Sequence, residues 1–404
     1  MAAALDGVRI ADFSHVIAGP YCTMVLADLG ASVVKIEPPH GDPARAYMSP
    51  NLGGDSTTFL SFNRNKRSVV LDLSGEEGKR VARDIVARSD ILVENFASGV
   101  MRRLSLDYAA MKEINPRLIY CSISAYGRSG SYAGRAGYDQ VMQAESGFMS
   151  LNGYPDREPL RTPLAMIDFT TGMLAANAIL AALYARETSG RGQYIEATLF
   201  DNAFAFTSYF TMDYLITGEN PRPPGNNSPS AGPMGVFHAS DGKFFLTVAS
   251  QRVWGKLLEV LGNPPELLAA EFADNMSRVR NRPQLAQILE RHFGQAPLAD
   301  WITRLREGGV PAGPIRSISE AVGSPEVKER AILGTAPHSK AGQVPNLRLP
   351  LELSDTPLVA PQGAPVLGEH TRTVLSELLH YDSERIAALE QKGVIPPAPA
   401  PIKA

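Results

Sequence analysis

The sequence predicts an α/β protein: a Rossmann-like, doubly wound large domain followed by a smaller α+β domain. Three observations carry that reading. Short β-branched runs alternate with helical runs from Val8 to about residue 217, the pattern of a parallel sheet with crossover helices. A stretch rich in Pro, Gly and Asn, 218–233, then breaks the chain and holds no pattern for regular structure. Beyond it, Asp241-Gly242 separates two apolar runs, a hairpin signal, and three helical runs follow. At 404 residues the chain is also longer than a single ordinary core sustains.

In order, Val8–Phe13 reads as a strand, Ser14–Pro20 as a turn, Tyr21–Leu29 as a helix closed by Gly30, and Ala31–Glu37 as a second strand. This is a βαβ unit. Glu37 stands where a dinucleotide-binding fold keeps its ribose acid. The turn, however, offers Gly19-Pro20 instead of G-x-G-x-x-G, so no nicotinamide cofactor is expected. Further strands are expected at Ser68–Leu73, Asp90–Asn95, Arg117–Ser124 and Gln193–Leu199. Asn63-Arg-Asn-Lys-Arg67 puts three cations in five residues, either a phosphate contact or, more commonly, a solvated turn. Tyr126–Tyr138 is glycine-rich and reads as a mobile surface loop. The expected organisation is a large domain over 1–217, a linker at 218–233, a small α+β domain at 234–312 and a return linker at 313–353. Terminal helices of the large domain follow at 354–395, then a disordered tail at 396–404.

Composition excludes several classes. A formal net charge of −3 without a basic tract argues against nucleic acid as a partner. Only Cys22 and Cys121 occur, which fits free thiols in a reducing compartment. No cationic stretch precedes an apolar one at the N-terminus, so a cytoplasmic location is expected. The longest apolar run, Met173–Arg186, carries Asn177 and is too short to span a bilayer. The seven His are scattered and no metal is expected. Neither a P-loop nor a G-x-S-x-G elbow occurs.

One stretch concentrates chemical potential: Arg161–Gly172, leading into the apolar helical run from Met173. That run is apolar nearly all round, which predicts a buried helix. Asp168 is expected just ahead of its N-terminus, where unpaired N–H groups and the helix dipole favour the ionised form. A buried carboxylate suits nucleophilic catalysis; a plain helix cap is the alternative, although Thr170 and Thr171 are placed to cap instead. His15 follows the first strand, at the carboxyl edge where open α/β sheets place ligands.

Seven motifs in order resemble the class III CoA-transferases, the family of formyl-CoA transferase, carnitine CoA-transferase and the acyl-CoA racemases. They are Ala11–Pro20, Asp28–Pro38, Asn63–Arg67, Val93–Phe96, Gly137–Asp139, Asp168 with Gly172, and Pro365–Thr371. The resemblance covers nearly the whole chain. It implies a CoA-transferase that moves CoA from an acyl-CoA donor to a carboxylic acid acceptor, with a small dicarboxylate among the candidates. Asp168 matches the family acid that forms an acyl anhydride and then an aspartyl-CoA thioester. His15, Val16, Ile17 and Ala18 match the loop along CoA. Leu71, Asn95, Phe96 and Arg103 match further CoA contacts, and Tyr138 matches a pocket tyrosine. The family further implies an interlocked homodimer and no cofactor beyond the coenzyme A thioester substrate.

The departures are informative. Formyl-CoA transferase has Gln where Ile17 stands, and its run of four glycines corresponds to the less glycine-rich Gly225–Gly232. Both argue against formyl-CoA and oxalate as the substrate pair. The racemases place a His-Asp pair at Tyr138-Asp139, and a phenol with a pKa near ~10 is a poor proton shuttle. A 2-methylacyl-CoA racemase is thus the alternative enzyme, and a non-catalytic CoA-binding protein the alternative of another class.

Overall fold

The computed structural model describes residues 2–397; the expected tail lies outside them from 398 onward. The chain divides into two compact units. The larger comprises Met1–Phe148, Arg161–Thr211 and Lys328–Ala404, the smaller Met149–Leu160 and Met212–Val327.

The larger unit is built on six strands: β1 (Arg9–Asp12), β2 (Ser32–Glu37), β3 (Lys66–Val70), β4 (Ile91–Glu94), β5 (Ile119–Ser124) and β6 (Tyr194–Thr198). They form one sheet in the order β3-β2-β1-β4-β5-β6, every pair parallel. That is the dinucleotide-fold order. The chain reverses direction across the sheet between β1 and β4, so the loops leaving their carboxyl ends diverge and open a crevice. Around the sheet run α1 (Ala18–Asp28), α2 (Glu76–Ala87), α3 (Asp139–Glu145), α4 (Met166–Ser189) and α5 (Leu199–Ala205).

The smaller unit has an antiparallel sheet of β7 (Met234–His238), β8 (Lys243–Thr247) and β9 (Ala312–Pro314) in the order β9-β8-β7. Helices α6 (Gln251–Leu261), α7 (Arg282–Phe293) and α8 (Leu298–Glu307) accompany it. Its core centres on Phe237, Phe244, Trp254, Phe293 and Trp301. The chain re-enters the larger unit through a hairpin of β10 (Leu333–His338) and β11 (Gly342–Leu347) and ends with α9 (Thr371–Glu377) and α10 (Ser383–Gln391). The return segment is therefore more structured than a linker, and 149–160 groups with the smaller unit.

Alternation along the strands sorts the larger core into two layers. Ala11, Val34, Leu92 and Tyr120 pack with Val81 and Ile85 of α2 and with Val374 and Ile386 of α9 and α10. Their neighbours Ile10, Val33, Ile91, Val93 and Cys121 pack with Leu26 of α1 and with Ile167, Ala175 and Ile179 of α4. At 24 residues, α4 is long and apolar enough to cross a membrane by length and composition alone, contrary to the sequence expectation. Its packing against the sheet, and the Arg186–Asp90 ion pair at 3.0 Å, make it a core helix. Its burial is nevertheless one-sided: Met173 and Leu174 are about half exposed and Tyr184 is 81% exposed.

Candidate active site

The crevice at the β1/β4 reversal is built on a strained loop. His15 N–H donates to Asn95 Oδ1 and Asn95 Nδ2 donates to His15 O, both at 2.8 Å. This reciprocal pair ties the loop after β1 to the loop after β4. The next residue, Val16, sits at φ 71°, which a β-branched side chain rarely adopts. Asp42 holds it there by accepting the Val16 N–H at 3.2 and 3.3 Å. Asp42 is fixed in turn by Lys35 Nζ at 2.8 Å and Ala44 N–H at 2.9 Å. Burial pushes the Asp42 carboxyl up, but Lys35 and the hydrogen bonds outweigh it and hold it at about 2. Gly19 is required by packing, since a Cβ there would lie 2.1 Å from Ser14 Cβ. α1 starts at Ala18 with no side chain capping it.

Beneath the loop lies a buried ionic network that accounts for the sequence's charged motifs. Glu37 accepts from Arg45 Nε and Nη2 at 2.8 Å each and from Ser68 Oγ at 2.6 Å. It is fully engaged and unavailable to a ribose. In the Asn63–Arg67 cluster, Lys66 binds Asp12 at 3.1 Å, Pro20 O and Asn63 Oδ1, while Arg64 binds Asp28 through Nε and Nη2. Neither a phosphate contact nor a solvated turn describes these residues: two of the three cations are buried ion-pair partners, and only Arg67 is near the surface.

Asp168 lies in the first turn of α4, which begins at Met166, rather than ahead of the helix. The capping group is Asp139, 2% exposed. Its Oδ2 accepts Ile167 N–H at 2.6 Å and Asp168 N–H at 3.0 Å. Gln143 Nε2 holds the other oxygen at 2.5 Å. The threonines do not cap: Thr170 Oγ1 donates back to Met166 O at 2.7 Å, and both hydroxyls accept from Asn202 Nδ2 at 2.8 and 2.9 Å. Gly172 lets α4 approach α1 closely, because a Cβ there would stand 2.5 Å from Ala18 O. That approach brings the Asp168 turn to the 15–18 loop.

The expected ionisation of Asp168 is overturned. Burial, and then the like charge of Asp139, push its carboxyl up to about 7. The N–H groups that would favour its carboxylate bond to Asp139 instead, so desolvation wins. His15 is pulled below its usual value, by burial first and Lys35 second, and its Nε2 has no partner among the described residues.

A cavity of about 190 Å³ brings together His15, Val16, Ile17, Ala18, Asn95, Tyr138 and Asp168, with Ile123–Ala125, Gly137 and Leu199 completing the wall. Phe96 stands behind His15, its ring edge-on at 5.0 Å. Leu71 is wholly buried in the core, so any ligand contact at that position falls to its backbone. Arg103 ends the short helix Val100–Arg103, exposed and outside the cavity. The glycine-rich loop is pinned rather than free: Arg128 donates to Ser122 Oγ at 2.7 Å, Phe96 O at 2.6 Å and Glu94 at 2.9 Å. Sequence reasoning missed the supporting roles of Asp42, Asp139, Arg128 and Asn202. Only Asp139 carried a local signal, its place in the Gly137-Tyr-Asp motif. Among the described residues no cluster of three or more His, Cys, Asp or Glu could hold a metal ion.

The arrangement places a half-ionised, basic carboxyl on the wall of a small cavity, beside a neutral imidazole and a phenol. A carboxylate so raised is a better nucleophile than a solvated one. Comparison with known proteins gives matches over nearly the full length. The model of CoA-transferase family III matches residues 5–371. A succinate–glutarate CoA-transferase of Agrobacterium fabrum is 36% identical over 381 residues, covering 93% of this chain and 95% of that protein. An acetyl-CoA:oxalate CoA-transferase of Acetobacter aceti is 37% identical over 376 residues, 92% and 95% of the two chains. The crystal structure of a CAIB/BAIF family protein from Brucella suis superposes with a TM-score of 0.84 at 36% identity, covering 94% of this chain and all of that one.

Proposed function

The chain belongs to CoA-transferase family III and is a CoA-transferase, and from that premise we propose that Asp168 carries CoA between two carboxylic acids as a covalent thioester. The Asp168 carboxylate attacks the thioester carbonyl of the donor acyl-CoA. The C–S bond breaks, CoA thiolate leaves and an acyl–aspartyl anhydride forms. The thiolate then attacks the Asp168 carbonyl and expels the donor acid, leaving an aspartyl-CoA thioester. The acceptor carboxylate attacks the Asp168 carbonyl of that thioester, expelling thiolate and forming an acceptor acyl–aspartyl anhydride. The thiolate then attacks the acceptor carbonyl, giving the new acyl-CoA and releasing the Asp168 carboxylate. Each step exchanges one activated acyl bond for another, so no thioester energy is lost to water.

The observation that carries this reading is the position of Asp168: in the small cavity beside the 15–18 loop, with burial raising its carboxyl to about 7. At neutral pH about half of it is an ionised, basic nucleophile. His15, Val16, Ile17 and Ala18 line the path for the CoA thiol end. Asn95 acts by clamping the His15 peptide, since both polar ends of its amide are used there. Exposed Arg103, without an ion pair among the described residues, is free for a phosphate.

Succinate, glutarate and oxalate appear in the names of the relatives, so a short dicarboxylate is the proposed acceptor, with succinyl-CoA or a similar thioester as donor. A homodimer in the cytoplasm is part of the same reading. The half-exposed apolar residues of α4 and α5, among them Leu174 at 50% and Phe204 at 49%, are a surface a second copy would cover. The test is a mass-spectrometric assay of purified protein with succinyl-CoA against a carboxylic acid panel, run beside Asp168→Ala. Glutaryl-CoA formed by the wild type and absent with the variant supports the reading; equal formation by the variant rejects it.

A further inference from the structure

The smaller unit holds a cavity of about 580 Å³ that shares no lining residue with the pocket around Asp168. Its walls are chemically divided. Met234, Phe237, Leu285 and Ile315 form an apolar side, while Lys243 and Arg282 bring two positive charges. The one carboxylate on the wall among the described residues, Glu290, is already engaged. It accepts the His238 backbone N–H at 3.1 Å and pairs with His238 Nδ1 at 3.0 Å.

Arg282 is the unusual member. Its guanidinium is only part-exposed, yet it has no carboxylate partner among the described residues. Nη2 donates to the backbone carbonyls of Ser228 and Ala231, and Nε is buried with no acceptor among the described residues. Burial alone acts on the group, pulling it below its usual value, with no opposing anion. A half-desolvated cation with donors to spare is a site for an anion. Lys243, exposed and without an ion pair among the described residues, adds a second point charge.

The rim is pre-formed. Asn275 Nδ2 donates to Ser230 O at 2.7 Å, Arg278 Nε to Gly232 O at 2.8 Å, and Asn226 Nδ2 to Tyr154 Oη at 2.9 Å. The segment 228–232, irregular by sequence, is thus fixed from below, and a ligand meets a cavity that does not have to be organised on binding.

We propose that this cavity binds a short-chain dicarboxylic acid, its carboxylates paired with Arg282 and Lys243 and its methylenes against the apolar wall. The choice of ligand class rests on the dicarboxylate reading of the transferase; the cavity and its two unneutralised cations do not. Isothermal titration of the full-length protein with glutarate, without CoA, tests it. Saturable binding is expected in the wild type and equally in Asp168→Ala, with about tenfold weakening in Lys243→Met and in Arg282→Gln. Butyrate, with one carboxylate, binds about tenfold more weakly than glutarate. Lys243 is exposed and unpaired, so its variant reports on binding even if Arg282→Gln loosens the 228–231 segment. Absence of saturable binding, or binding that Lys243→Met leaves unchanged, overturns the proposal. Because titration needs no turnover, a transferase activity that survives Asp168→Ala would fail the catalytic reading while leaving this one standing.

Discussion

Asp139 Oδ2 accepts the backbone N–H of Asp168 at 3.0 Å, so one buried acid caps the helix turn that carries a second, part-buried one. The contact has two opposed effects. It fixes the turn, and it places a like charge near the Asp168 carboxyl, adding to burial in raising it to about 7. The acid–base behaviour of the site follows from this pair.

Transfer should therefore depend on pH through Asp168. With an ionised carboxyl required and a value of about 7, kcat/KM should fall about tenfold per pH unit below 7 and level off above it. Asp139→Asn keeps an amide oxygen to accept the two N–H groups but removes the charge. It should move the acid limb down by about one unit with a modest change in the plateau. A pH profile of wild type and variant decides; a limb that stays in place would assign the raised value to burial alone.

Stability carries the same signature with a defined sign. A carboxyl at 3.8 when unfolded and about 7 when folded binds more protons in the native state between those values. Stability attributable to it therefore falls as pH rises through that window. Asp168→Asn should stabilise the protein on the order of 2–4 kcal/mol at pH 8 and by little at pH 4. Urea unfolding at the two pH values measures the difference.

The alternation of strands and helices was legible because each strand of the parallel sheet is a short apolar run. The order of the strands, and hence the position of the crevice, was not, since it depends on pairings such as Ile10 with Ile91. Asp168 could be picked out from the helix that follows it. Its protonation could not, because the deciding neighbour, Asp139, stands 29 positions earlier. The Asn63–Arg67 cations looked like surface charge for the same reason: their partners, Asp12 and Asp28, come from β1 and the end of α1. Leu71 shows the reverse, a position matched to a CoA contact whose side chain serves the core.

Asp42→Ala should release Val16 from its left-handed conformation. The substitution removes the acceptor of the Val16 N–H and leaves buried Lys35 without its charge partner at 2.8 Å. Breaking a buried pair typically costs about 3–5 kcal/mol. The expected result is a lower melting temperature together with a several-fold higher KM for acyl-CoA, since the 15–18 loop loses its anchor. Unchanged KM in a folded variant would show that Asp42 serves stability alone.

Arg103→Ala should raise KM for acyl-CoA with kcat nearly unchanged, the pattern for a phosphate contact equal in ground and transition states. The loss should be about 1.5–3 kcal/mol, the range for a hydrogen bond to a charged group. Its exposed side chain makes a folding defect an unsuitable explanation. Steady-state kinetics with varied acyl-CoA give the answer, and an unaltered KM would remove Arg103 from the CoA path.

The most direct measurement traps the covalent carrier. Protein incubated with succinyl-CoA and quenched with hydroxylamine is digested and its peptides weighed by mass spectrometry. A hydroxamate on Asp168, formed only when the thioester is present, is the predicted result. Modification of another residue, or none at all during active turnover, would contradict a transferase that works through Asp168.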